Sequence, residues 1–270
     1  MTFGISNSKS IWFVIWLALL TVPLEAEVIF QETFPGGERD KQSPPASLAW
    51  YATVPDSVKI EQGAMVLSGA NASQRAVSAS FPAVTLKVGE KLKLDFDMVL
   101  GGEIGYSNGA LRIGLYSADN APAADGENPG TGAAGYLVAL SHGQHTGNKA
   151  AYTGSSFFER LPSSKGIKIT SYQNHISVGH SGTRPGAYEA GTPYSVEFTI
   201  ERTSANAVNL DFKISGGGFT DKNDCNASTE GTQGEVFSEF NTLVLLINAV
   251  PGGFPQVAFS NLKLEVVRAH

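Results

Sequence analysis

"KLKLDFDMVL", residues 91–100, decides the fold. Leu92, Leu94, Phe96 and Met98 alternate with Lys91, Lys93, Asp95 and Asp97, so every second side chain is apolar. That period of two belongs to a strand with one face on a core and the other in water. "YSVEFTIER" (194–202) sets Val196, Phe198 and Ile200 against Ser195, Glu197, Thr199 and Glu201. "VNLDFKI" (208–214) repeats the pattern with Leu210, Phe212 and Ile214 against Asn209, Asp211 and Lys213. "TLVLLINAV" (242–250) is apolar on both faces and reads as a central, partly covered strand.

Working outward, further strands are expected at 28–34, 58–61, 64–68, 75–81, 110–117, 135–141, 166–171 and 256–267. Glycine, proline and asparagine separate them, as in "NPGTG" (128–132) and "PGGFP" (251–255), and no stretch has the period of an amphipathic helix. Alternating faces require two layers, each burying one side against the other. The expected fold is therefore all-β, a two-sheet antiparallel β-sandwich.

The chain has 270 residues. "SNSKSIWFVIWLALLTVPLEAE" joins Lys9, an apolar run from Ile11 to Val22 and a small residue at Ala26, the layout of a secretory signal peptide. The run is too short for a membrane anchor, which takes roughly 20 residues. Residues 1–26 are read as the leader and 27–270 as one domain, secreted or periplasmic and bacterial. A net charge of −6 gives no electrostatic reason to bind nucleic acid or an anionic membrane. Cys225 is the only cysteine, so the core must hold without an internal disulfide.

A resemblance emerges from four segments. The opening "VIFQETF" (28–34), "LAWY" (48–51), the hairpin "VKIEQGAMVLSG" (58–69) and the closing "QVAFSNLKLEVV" (256–267) resemble the concanavalin A-like lectin/glucanase superfamily, including laminin-G-like modules. The likeness implies jelly-roll topology, with first and last strands adjacent and any ligand on the concave face or its rim loops. Members include lectins, glycan-binding modules, glycoside hydrolases and polysaccharide lyases, so the fold does not choose the chemistry.

Several residue sets compete for that chemistry. His142 and His145 form an H-x-x-H in "SHGQHTG" (141–147), with His175 and His180 following. A catalytic zinc needs a third ligand, and neither H-E-x-x-H nor a cysteine cluster is present, so no metal is assigned to them. Glu32 shares the inward parity of Phe30 and Phe34 and is the candidate ligand for a structural calcium of the kind the resemblance implies. The E-x-D-x-x-E run of the family's retaining glycosidases is missing. "DFD" (95–97) reads as solvated charge on a strand.

"YQNH" (172–175) is similar to the Q-[IV]-H strand of alginate-lyase jelly-rolls, which implies Gln173 and His175 as neutraliser and base, beside Arg112 of "LRIGLY". The other two strand motifs of that family are reduced to Arg112 alone or lacking. A glycan site asks for less: an aromatic ring under the sugar's C–H face and planar polar groups along its hydroxyls. Arg112 and Tyr116 share one face, opposite Leu111, Ile113 and Leu115. Tyr136, His142, His145, Arg160, His175 and Arg184 lie in the same polar stretch.

The ligand-binding candidates are Arg112, Tyr116, Tyr136, His142, His145, His175 and Arg184, with a polysaccharide or glycan as partner. The expected function is a non-catalytic carbohydrate-binding or surface-interaction module. A lyase acting by β-elimination is the alternative, and a structural or adhesive exported protein the second.

Overall fold

The computed structural model describes residues 25–268 except 36, 40–44, 46–47, 70–73, 106, 128–131, 145–150, 164–174, 181–183, 186, 218–224, 232–235 and 249–252. The strands in chain order begin with β1 (Glu25–Glu32), β2 (Trp50–Ala52), β3 (Val58–Glu61), β4 (Ala64–Ser68), β5 (Gln74–Thr85) and β6 (Lys91–Gly101). Next come β7 (Ser107–Ser117), β8 (Ala134–Gln144), β9 (Ala151–Arg160), β10 (His175–His180) and β11 (Arg184–Pro185). The chain closes with β12 (Pro193–Arg202), β13 (Val208–Gly216), β14 (Cys225–Thr229), β15 (Glu239–Asn248) and β16 (Gln256–Arg268). The helical content of the described residues is one short turn at Pro55–Ser57.

Two antiparallel sheets result. Sheet A runs β14-β13-β12-β6-β16-β4-β3, with β1 also on β16; sheet B runs β10-β9-β8-β7-β15-β5-β2, with β11 on β9. The first and last strands pair from Glu25↔Arg268 to Glu32↔Leu262, as jelly-roll topology requires. The alternation in β6 is complete, with Leu92, Leu94, Phe96, Met98 and Leu100 buried and their neighbours half-exposed. Facing them across the sandwich are Leu111, Ile113 and Leu115 of β7 and Leu243, Leu245 and Ile247 of β15, all in one core cluster. β15 lies between β7 and β5 and is buried on both faces. The segment 166–171 expected as a strand lies outside the described residues.

Two details close the sandwich. At one side the edge strands β10 and β14 meet; a Cβ on Gly179 would stand 2.3 Å from that of Ala227, so only glycine permits the approach. At the other side β2 is an edge strand whose open backbone groups are covered by loop residues. Trp50 N donates to Arg39 O (2.7 Å) and Gly126 N donates to Ala52 O (2.9 Å).

Glu32 does face inward, but its carboxylate is part of the fold. It is 2 % exposed. Its Oε1 accepts from Phe34 N (2.9 Å). Its Oε2 accepts from Leu48 N (3.1 Å) and Trp50 Nε1 (3.4 Å). Donors aimed at both oxygens are the partners of an anion, whereas calcium is surrounded by oxygen ligands. The residues present do not fit the calcium expected at Glu32. Among the described residues no cluster of three His, Cys, Asp or Glu could hold a metal ion.

Candidate functional site

The outward face of sheet B is where the ring and cations of the sequence reading come together. Strand register divides that face into three rows. The first joins Ser80, Thr242, Tyr116, Gly135 and Arg160. The second joins Ser78, Val244, Gly114, Leu137 and Phe158. The third joins Ala76, Leu246, Arg112, Ala139 and Ser156. Arg112 and Tyr116 therefore share a face, as their spacing requires, and Arg160 joins them.

Their packing is specific. Arg160 Cζ lies 5.7 Å from the centre of the Tyr116 ring, a cation–π distance. Arg160 Nε donates to Ala133 O at 2.8 Å. The Tyr116 ring lies back along its own strand, over Gly114. A Cβ on Gly114 would stand 2.2 Å from the Tyr116 hydroxyl, so this position must be glycine for the ring to lie there.

The face is covered. Tyr116 is 3 %, Arg112 8 % and Arg160 1 % exposed, and Tyr116 belongs to a second apolar cluster with Leu137, Phe158, Val244 and Leu246. Burial pushes the Tyr116 hydroxyl up to about 12, with both arginines pulling the other way. Burial likewise lowers the Arg160 guanidinium.

Tyr136 and His142 are corrections to the sequence reading. Tyr136 is fully buried on the core side of β8, where its hydroxyl accepts a bond from Phe237 N (3.1 Å). The reason is parity. In "GYLVALS" (135–141) both alternating sets are largely apolar, and register pairs Tyr136 with Leu115 of the core row. The His142 ring is 3 % exposed and packs edge-on to Tyr188, with ring centres 5.8 Å apart. Its Nδ1 lies 3.2 Å from Gly105 O. Burial holds the imidazole below its ordinary value, and the Gly105 contact partly offsets this. Neither group can touch a ligand lying on the outward face.

His145 and Gln173 lie outside the described residues. The backbone of His175 pairs with Arg160, at the end of the first row. The backbone of Arg184 pairs with Thr153 on β11.

An open site stands at the edge of the same sheet. Tyr51 sits between the core residues Trp50 and Ala52 and so points outward, extending the second row beyond Ser78. Beside it a hollow of about 490 Å³ is lined by Glu38, Arg39, Tyr51, Ala123, Ala124 and Asp125. Arg39 grips Asp125 with both guanidinium arms, Nη1 donating to Oδ1 at 2.7 Å and Nη2 to Oδ2. Nη1 also donates to Trp50 O (2.8 Å), and Asp125 Oδ1 accepts from Ala52 N (2.9 Å). The guanidinium holds the Asp125 carboxyl below its usual range. Two loops are thus clamped to β2 around a half-buried tyrosine. None of these residues was singled out from the sequence. The available signal was parity: if Trp50 faces in, Tyr51 faces out.

Comparison with known proteins places this geometry. No family model matches the chain, and no curated protein matches it by sequence. Solved structures do match in fold. The carbohydrate recognition domain of Emp47p superposes with a TM-score of 0.54 at 14 % identity, covering 92 % of this chain and 97 % of that one. Winged bean acidic lectin, complexed with methyl-α-D-galactose, gives 0.54 at 10 % identity, covering 92 % and 100 %. An endo-1,3-β-glucanase from Streptomyces sioyaensis gives 0.52 at 9 % identity, covering 92 % and 99 %. The chain has the concanavalin A-like lectin/glucanase fold.

Proposed function

We propose that this concanavalin A-like sandwich is an exported, non-catalytic glycan-binding module. The observation that carries the reading is the composition of the outward face of sheet B. None of the positions in its three rows is Asp or Glu. Glycoside hydrolysis in this fold class works with a pair of carboxyl groups about 5–5.5 Å apart on retention, or about 6.5–9.5 Å on inversion. The titratable groups of the rows are Arg112, Arg160 and Tyr116. A tyrosine pushed up to about 12 by burial is a poor proton acceptor at neutral pH, which also weighs against elimination chemistry there. Binding needs only a ring and fixed polar groups, and the edge hollow offers both. Lectins among the fold neighbours bind sugars, which supports a glycan as the partner.

The test is retention without turnover. The secreted chain, run through gels containing soluble polysaccharides, is retarded, while prolonged incubation releases neither reducing ends nor the ultraviolet absorbance of unsaturated ends. Release of either product overturns the non-catalytic reading, and free migration through every polysaccharide overturns glycan binding. Export belongs to the same proposal. Terminal sequencing of the secreted product should begin at Glu27, and an intact leader on the mature chain contradicts it.

A further inference from the structure

We infer that the leader is cut off before the first strand pairs with the last, so that the chain crosses the membrane unfolded and folds only after processing. This rests on the export reading above and adds the state of the chain on which the peptidase acts.

The expected cut falls inside the fold. β1 begins at Glu25, and its register sets Glu25 against Arg268, Ala26 against Val267 and Glu27 against Val266. The Ala26–Glu27 bond therefore lies within the antiparallel ladder. Burial does not protect it, since Glu25, Ala26 and Glu27 are all exposed. Pairing does. A protein that binds a peptide as an extended strand needs its backbone edges, and β16 already holds one edge of this strand.

The pairing is anchored from several sides. β16 is bonded on its other edge to β6, where Val266 pairs with Leu92 and Val267 with Lys91. Val266 is 1 % exposed, and a few residues past the cut Phe30 is fully buried, which fixes both strands to the core. Glu27 is tied to Arg268 Nη2 at 2.6 Å, and Arg268 Nε stands 3.3 Å from Glu90 Oε1. Nicking concentrates at loose termini, and a terminus tied into a sheet is not loose.

Reach makes the same point. The apolar run of the leader ends at Val22, and the ladder begins at Glu25. Three residues of extended chain span about 10 Å. With the run held in the membrane and the sandwich already folded, a membrane-bound peptidase would have to work in that gap on a bond inside the strand. Hydrolysis itself needs only water. Water adds at the Ala26 carbonyl, the C–N bond breaks, Ala26 leaves as a carboxylate on the leader, and Glu27 keeps the new α-ammonium.

The full precursor, made without export and shown to be folded by melting temperature and far-ultraviolet circular dichroism, tests this. It is mixed with a detergent-solubilised signal peptidase, either native or added from urea at the moment of mixing. Mass spectrometry follows the product that starts at Glu27. The native precursor should be cut at least about tenfold more slowly than the unfolded one. A second precursor carries a spacer of about eight glycine and serine residues between Ala26 and Glu27, which moves the bond out of the ladder. It should be cut equally fast from both states. Equal rates for the unaltered precursor overturn the order of events and leave the leader reading standing. A spaced precursor that is still protected when folded overturns pairing as the guard. No cut at Ala26–Glu27 in either state overturns the leader reading and this inference together.

Discussion

On the outward face of sheet A, Lys93 stands 3.0 Å from Asp95, 3.6 Å from Glu197 and 3.4 Å from Glu265, and Lys213 reaches Glu197 at 2.8 Å. At the matching positions of sheet B stand Val244, Leu246, Leu137 and Phe158, with Arg112, Arg160 and Tyr116 buried beside them. Both sheets bury their inner faces in the same core, yet one turns a charge lattice to water and the other keeps an apolar layer covered. Strand alternation guarantees two faces per sheet and says nothing about what the outer one must meet. Sheet A's outer face meets solvent. Sheet B's outer face is buried along its rows and, among the described residues, is partly exposed at the β2 edge, where Tyr51 and the Arg39–Asp125 clamp stand.

The sharpest way to break this contrast is to place a charge on each side. Val244→Asp puts an unpaired carboxylate into a site 2 % exposed, and should cost at least about 4 kcal/mol in denaturant unfolding. If that outer face were open to water, the same change would be nearly neutral. Next in size, Phe158→Ala leaves a cavity in the outer layer and should cost about 3 kcal/mol by the same measurement.

A smaller effect belongs to His142 on the core side of β8. Burial keeps its folded-state pKa below the ordinary 6.5, so the unfolded chain takes up a proton that the folded chain refuses. Stability therefore falls as pH drops through 6.5 toward the folded value and levels off beneath it. His142→Phe should flatten that part of a plot of unfolding midpoint against pH. Smallest of all, Lys213→Ala removes a solvated ion pair on sheet A and should shift stability by no more than about 0.5 kcal/mol.

The same contrast explains what the sequence disclosed. β6, β12 and β13 were legible residue by residue because sheet A's outer face is charged, so each polar residue marks its side. In sheet B both faces are largely apolar, and parity lost its marker. "GYLVALS" gave no sign that Tyr136 faces the core, and "AYTGSSFFER" (151–160), with Phe157 and Phe158 adjacent, did not read as the strand β9 that it is. Arg112 and Tyr116 were legible because Leu111, Ile113 and Leu115 alternate cleanly against them. The edge hollow was illegible for a different reason. Its clamp joins residues 86 apart in the chain, and only the pairing of β2 with β5 and the run of the loop after β7 bring Arg39 to Asp125.

Tyrosine-resolved chemical labelling, read by mass spectrometry, tests the central contrast most directly. The account predicts that Tyr51 is modified while Tyr116, 3 % exposed, stays unmodified. Ready modification of Tyr116 would contradict it and open the middle of sheet B to solvent.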